Sequence, residues 1–309
     1  MEGNSKISVV IPVYNSSATI SELVDRLIKT FDTLTNYQYE LIFVNDGSTD
    51  DSWKLLKEER AKYPDVIKAI NFTKNYGQHN ALLCGFSFCS GDFVVTMDDD
   101  LQHPPEEIFK LIEAQKLNNA DIVYGMPIVK QHSKIRNLGS LFIRKTSNYK
   151  RQTQEGGSSF RLIRRNLTNV LVEKHSQHFL FLDAALNWYS TNIELVNVKH
   201  DPRKYGRTGY TFMKLLNIYL NIMYYYSTKP LKVIIVLGLF SSLVSFVLGL
   251  RFIYRKLMFD VPLGYTSIIV AIMFSTSLIL FCLGVIGNYL YKLYQLQQNK
   301  PPYSIKKII

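Results

Sequence analysis

Three consecutive aspartates, Asp98, Asp99 and Asp100, follow a short apolar run at 93–97 and precede Leu101, Gln102, His103, Pro104 and Pro105. The apolar run reads as a buried strand, and the two prolines suit the entry to a helix beginning near Glu106. In open α/β sheets, ligands bind beyond the carboxyl ends of the strands. Carboxylates crowded there repel one another unless protons or a cation relieve them. A hard divalent cation, Mg²⁺ or Mn²⁺, held by one or two carboxylates and by substrate phosphate oxygens, suits such a place. Asp98 and Asp100 lie on the same side if the local backbone is extended, which makes them the candidate metal pair. An isolated acidic triplet also occurs as a solvated turn, so the surrounding elements decide between the two.

Those elements alternate. Apolar runs at 6–13, 39–44, 66–72, 93–97 and 121–124 read as strands. Between them, helical stretches are expected to about residue 31, capped by Ser16 or Ser17, then at 51–62, from residue 75 to about 89, and at 106–117. This alternation predicts a parallel sheet covered on both faces. Polar residues gather after the strands: Asn15, Asp46, Lys74, Asn75, Asp98 and Asp100. Past residue 126 the regularity stops. A basic stretch at 133–150 reads as an amphipathic helix lying on an anionic leaflet, with an ordinary surface helix as the alternative. A returning strand is expected at 156–163, helices at 166–173 and 179–189, and a further strand at 193–198.

The C-terminal third is different. Residues 211–229 form an amphipathic, tyrosine-rich stretch suited to a membrane interface. Residues 233–250 and 264–290 carry no charge. Eighteen residues at about 1.5 Å each reach across a thin hydrocarbon core, so two transmembrane helices are expected within 230–291. Two buried core helices are the alternative. Residues 292–309 read as a basic cytosolic tail, and residues 1–210 as a cytosolic catalytic domain. The chain has a net charge of +11. Its basic residues crowd near the apolar segments, which favours an anionic membrane over nucleic acid. Three cysteines, Cys84, Cys89 and Cys282, make no disulfide framework. With no N-terminal export signal in this sequence, a multi-pass protein of the plasma membrane with both termini cytoplasmic is expected.

The segments at 9–15, 44–52, 74–86, 97–107 and 158–165, together with the Arg/Gly loop at 203–210 and the paired apolar runs, resemble the family-2 glycosyltransferases that act on polyprenyl phosphates. The resemblance covers nearly the whole chain. It implies a Rossmann-like A-type glycosyltransferase domain followed by interfacial amphipathic helices and two transmembrane helices. It also implies inverting transfer from a nucleotide sugar, UDP-linked by expectation, to a polyprenyl phosphate. By the same resemblance, Pro12, Tyr14 and Asn15 belong to the first nucleotide loop. Asp46 faces the uracil or ribose, and a carboxylate there can accept the uracil imide N–H. Lys74, Asn75, Gly77 and Gln78 form a second nucleotide loop. Asp98 and Asp100 match the metal-binding acidic motif, and Asp98 and Asp99 count among the nucleotide-binding residues. Arg161, Arg203, Arg207 and Thr208 are expected at donor or acceptor phosphate.

Three departures stand out. Asn45 occupies the first place of an acidic pair, Ser159 precedes Phe160-Arg161 where many relatives have aspartate, and Thr208-Gly209 replaces Ser-Lys. A polyprenyl phosphate, with a second pKa of about 6, is already largely dianionic near neutral pH, so a missing base is tolerable. Asp183 is the reserve candidate for that base, with a capping or surface acid as its alternative. Two other functions are compatible with the pattern: a degenerate membrane-anchored nucleotide-sugar-binding subunit, and a polysaccharide synthase. The second lacks its acceptor motif and enough spans. Membrane lipids are expected partners, and self-association into a homo-oligomer is compatible with the sequence.

Overall fold

The computed structural model describes residues 5–127, 158–174, 182–202, 229–259, 264–297 and 301–309. The basic stretch at 133–150, the amphipathic stretch at 211–228, and Arg203, Arg207 and Thr208 lie outside the described residues. The chain divides into two units, one of residues 1–207 with 300–309, the other of residues 208–299.

In the first unit the expected alternation holds. Strand β1 (Lys6–Val13) leads to helix α1 (Ile20–Thr33), β2 (Gln38–Asn45) to α2 (Ser52–Lys62), and β3 (Ile67–Phe72) to α3 (Gln78–Ser87). Strand β4 (Phe93–Thr96) leads through a 3-10 turn (Pro105–Glu107) to α4 (Ile108–Asn118), then β5 (Ile122–Pro127). After residue 157 come β6 (Arg161–Arg164), α5 (Arg165–Lys174), α6 (Leu182–Tyr189) and β7 (Ile193–Val198). Alternate residues of β1 face opposite ways: Ile7, Val9 and Ile11 join α1 and α4 in one apolar layer, while Val10 joins α3 in the other. Helix α1 begins at Thr19-Ile20 rather than at the serines. The Ser16 and Ser17 amides are taken by Ser52 Oγ and the Asp50 carboxylate across the loop.

The sheet is mixed rather than purely parallel. Its order is β7-β5-β6-β4-β1-β2-β3, closed at the far edge by β8 (Ile305–Ile308). β6 runs antiparallel between β4 and β5, pairing Thr96 with Arg161 and Tyr124 with Arg161. It therefore brings Ser159, Phe160 and Arg161 beside the end of β4. The segment read as a basic tail, 292–309, instead begins within a helix that runs to Gln297 and ends in a sheet strand: β8 pairs antiparallel with β3.

The second unit contains two long helices, α7 (Lys229–Phe259) and α8 (Tyr265–Gln297). Among the described residues one helical window, Phe274–Tyr291, is long and apolar enough to cross a membrane, with mean hydropathy 1.5 and none of the window buried.

Candidate active site

The site residues stand at the carboxyl ends of β1, β2, β3 and β4. The loop after β1 and the loop after β2 are tied through Asn15, whose amide donates to Ser48 Oγ (3.0 Å) and whose Oδ1 accepts from the Thr49 amide (2.8 Å). Asn15 takes a positive φ of 53°, a conformation asparagine tolerates better than most residues. Pro12 is buried within β1, while Tyr14 is exposed. The loops after β2 and β3 touch backbone to backbone at Gly47. With φ +67°, Gly47 would bring an added Cβ to 2.4 Å from the Lys74 carbonyl carbon, so only glycine fits.

Asp46 sits at that junction and is buried. Its Oδ1 accepts from the Tyr76 amide (2.6 Å) and its Oδ2 from the Gly77 amide (2.8 Å). Burial raises its carboxyl above the ordinary range, and the two amides pull it part of the way back. Asp46, expected to face the base or ribose, thus engages both carboxylate oxygens with the 74–78 loop and shapes it. Lys74 is exposed, with Nζ 5.2 Å from the Tyr76 ring centroid.

The acidic triplet runs into a turn at Asp99–Asp100 and is not an extended segment, and Leu101 just after it takes φ 59°. The three carboxylates accordingly face different partners. Asp98 Oδ1 accepts from Gln78 Nε2 (2.5 Å) and its Oδ2 from Ser159 Oγ (2.6 Å). Asp99 Oδ2 accepts from the Tyr14 amide (3.2 Å), and Asp100 Oδ1 from the Gln102 amide (3.1 Å). Burial raises the Asp98 carboxyl, Ser159 lowers it, Asp100 raises it again, and Arg161 and Gln78 lower it. Burial also pushes Asp99 up to about 7.

A divalent cation fits this donor set with one condition. Among the described residues Asp98 is hydrogen-bonded only by neutral donors, and Asp98 and Asp100 feel each other's charge. Among the described residues, however, no three His, Cys, Asp or Glu groups converge to hold a metal alone. The acidic pair therefore suits an oxygen-seeking ion whose remaining ligands come from substrate phosphate and water, as Mg²⁺ commonly binds.

Arg161 and Asp183, expected separately at phosphate and as a base, form a buried ion pair. Tyr124 Oη donates to the same Asp183 oxygen (3.2 Å), and the Arg161 guanidinium lies 5.7 Å from the Tyr124 ring centroid. Among the described residues, Arg161 Nε is buried without a hydrogen-bond partner.

Two features escaped sequence reading. The Ser159–Asp98 contact joins residues 61 apart, and the only signal for it was the unusual residue before Phe160-Arg161. His103 is buried in the acidic loop, stacked on Phe160 (5.2 Å) and edge-on to His200 (4.9 Å), with Nδ1 lacking a partner among the described residues. Burial lowers both His103 and His79 to about 4. Folded-state values below the unfolded value near 6.5 mean that the unfolded chain binds more protons between those limits. Stability should therefore fall as pH drops from about 6.5 toward 4. His103→Phe, which keeps the stack on Phe160, should make the fall of Tm across that window shallower than in the parent.

A twisted, mostly parallel sheet with helices on both faces, and an acidic turn at the carboxyl end of its fourth strand, is the A-type glycosyltransferase architecture. Residues 8–187 match glycosyl transferase family 2. The undecaprenyl-phosphate 4-deoxy-4-formamido-L-arabinose transferase of Proteus mirabilis (strain HI4320) is 32% identical over 311 residues, covering 99% of this chain and 94% of that protein. The protein of the same name from Klebsiella pneumoniae (strain 342) is 30% identical, covering 98% and 94%. Among solved structures, glucosyl-3-phosphoglycerate synthase from Mycobacterium tuberculosis in complex with phosphoglyceric acid superposes with a TM-score of 0.50 at 20% identity, covering 71% of this chain and 78% of that one, a likeness of fold. The chain belongs to glycosyl transferase family 2 and is a glycosyltransferase.

Proposed function

We propose that this enzyme moves a sugar from a UDP-sugar to undecaprenyl phosphate, or a closely similar polyprenyl phosphate, with inversion and with a divalent cation. The observation that carries the proposal is the Asp98 carboxylate at the end of β4, hydrogen-bonded by two uncharged donors and set against Asp100. Near-full-length similarity to transferases named for undecaprenyl phosphate supplies the acceptor class.

In this reading Pro12, Tyr14 and Asn15 line the nucleotide with the 74–78 loop, which Asp46 holds in shape. Asp98 and Asp100 hold Mg²⁺ or Mn²⁺, which when bound offsets the charge of the departing diphosphate. Arg161 meets a donor or acceptor phosphate, and Arg203, Arg207 and Thr208 meet the acceptor phosphate. Asp183 orients Arg161 rather than taking a proton. A phosphate monoester with a second pKa of about 6 arrives already charged, and its attack depends on placement and loss of water more than on a base.

Helices α7 and α8 form the membrane anchor in this proposal, and the catalytic unit and both termini lie on the cytoplasmic side. Exposed side chains such as Phe240, Phe246 and Phe274 support the lipid setting over a buried core. The test is purified protein in detergent with undecaprenyl phosphate and a panel of labelled UDP-sugars, with and without Mn²⁺. Lipid-extractable label is expected for one donor and lost on chelation; no lipid-linked product across the panel would overturn the proposal.

A further inference from the structure

Strand β8 does more than finish the sheet. Its approach segment crosses the two elements that flank the 74–77 loop. The Tyr303 ring stacks on Phe72, the last residue of β3, at 5.2 Å with 6° between planes. On its other side, the Tyr303 hydroxyl interacts with the side chains of Cys84 and Ser87 in α3. The backbone repeats the connection, since the Thr73 amide donates to the Ser304 carbonyl (3.0 Å) and Ala69 and Ile309 exchange hydrogen bonds (3.0 and 2.9 Å). From Phe72 the contact passes edge-on to Tyr76 (5.6 Å), whose hydroxyl lies 3.1 Å from Thr73 Oγ1 and whose amide donates to Asp46. At the start of α3, Gln78 donates to Asp98. One aromatic side chain therefore packs against the last residue of β3 and the C-terminal half of α3, the two elements that the 74–77 loop joins.

We infer that Tyr303 is a positioning residue for donor binding, holding β3 and α3 at the separation that lets the 74–78 loop receive the nucleotide. The inference rests on the proposed function only in taking that loop as the nucleotide's seat. Among the described residues the loop is also held by the Tyr76 and Gly77 amides on Asp46, by Gln78 on Asp98, by Asn80 Nδ2 on the Tyr76 carbonyl and by the close backbone approach at Gly47. Interfaces of this kind act at a distance through sub-ångström placement of the groups they support.

The experiment uses the full-length protein in detergent. Tyr303→Ala should weaken UDP binding by calorimetry about tenfold, the scale on which supporting contacts act. In turnover it should raise the donor KM while kcat and the acceptor KM change by less than about threefold. Amide hydrogen exchange should quicken at Tyr76 and Gly77 but not in β1. Tyr303→Phe, which keeps the stack, should recover most of the affinity. If Tyr303→Ala does not fold, Tyr303→Leu is measured by the same criteria. A folded variant with parental UDP affinity and parental exchange at Tyr76 and Gly77 overturns the inference. A parent that binds no UDP overturns the proposed function instead, and the exchange rates still decide whether Tyr303 holds the loop.

Discussion

Asp98→Asn lowers kcat/KM by about 10²- to 10³-fold, the range seen when one preorganised electrostatic contact to a developing charge is lost. The side chain keeps its shape, so hydrogen bonds at both of its ends can be rebuilt and Tm should hold near the parent's. What disappears is a negative charge at the end of β4, one of the two that would hold the cation. Ser159→Ala tests the same point from outside the acidic turn. It removes the 2.6 Å bond to Asp98 Oδ2 and leaves the charge. Its effect should be about ten- to hundredfold, read chiefly as a higher Mn²⁺ requirement, as expected for a group that orients a ligand without being one. Mn²⁺ titrations of product formation separate the two variants, and Mn²⁺ binding measured with UDP but without acceptor checks the order. If Asp98→Asn combined with Asp100→Asn turns over as fast as the parent, the acidic pair holds no catalytic cation.

Asp183→Ala should cost about 3–5 kcal/mol of stability, because it strands the Arg161 guanidinium in the interior. The side chains of Arg161 and Asp183 are only 3% and 11% exposed, so water replaces the lost partner poorly. Tyr124 loses its hydrogen-bond acceptor in the same variant. For a domain of this size the loss should lower Tm by roughly 10 °C. Replacing both partners with apolar residues, Arg161→Met with Asp183→Leu, should recover much of that stability, as exchanges of buried ion pairs do. It should not recover transfer to the lipid phosphate. If the double variant regains activity along with Tm, Arg161 meets no phosphate and the pair is structural. If Asp183→Ala keeps the parental Tm, the pair is not buried in solution.

Much of the fold was legible because its cause is local. Apolar runs separated by polar, capped helices repeat along the first five strands, and that repetition defines a doubly wound sheet. The position of β6 is not local. Its four residues, Arg161-Leu162-Ile163-Arg164, carry no mark of direction, and only pairing with Val95 and Val123 on either side makes them antiparallel and central. β8 is hidden for a similar reason: Ile-Lys-Lys-Ile alternates too briefly to announce a strand, and its partner β3 lies more than 230 residues earlier. The acidic turn was found because three carboxylates after a strand are conspicuous in one dimension. The donors that hold Asp98 come from Gln78 and Ser159, each far away in sequence, and nothing in either residue type points to the other. Arg161 and Asp183 were each singled out, yet as separate agents. Their pairing depends on α6 packing on the face of the sheet over β5 and β6, which no local pattern encodes.

The polypeptide leaves the sheet after β7 on one margin and comes back to it as β8 on the other. A fragment shortened after residue 207 to obtain a soluble catalytic half would lose β8 along with the apolar helices. The β3 ladder would then be bare, with Ala69, Ile70 and Asn71 presenting unpaired backbone groups to other molecules. Bare ladders of this kind recruit strands from neighbouring chains and precipitate. Such a fragment should stay dispersed only if residues 301–309 are grafted back through a linker long enough to reach β3.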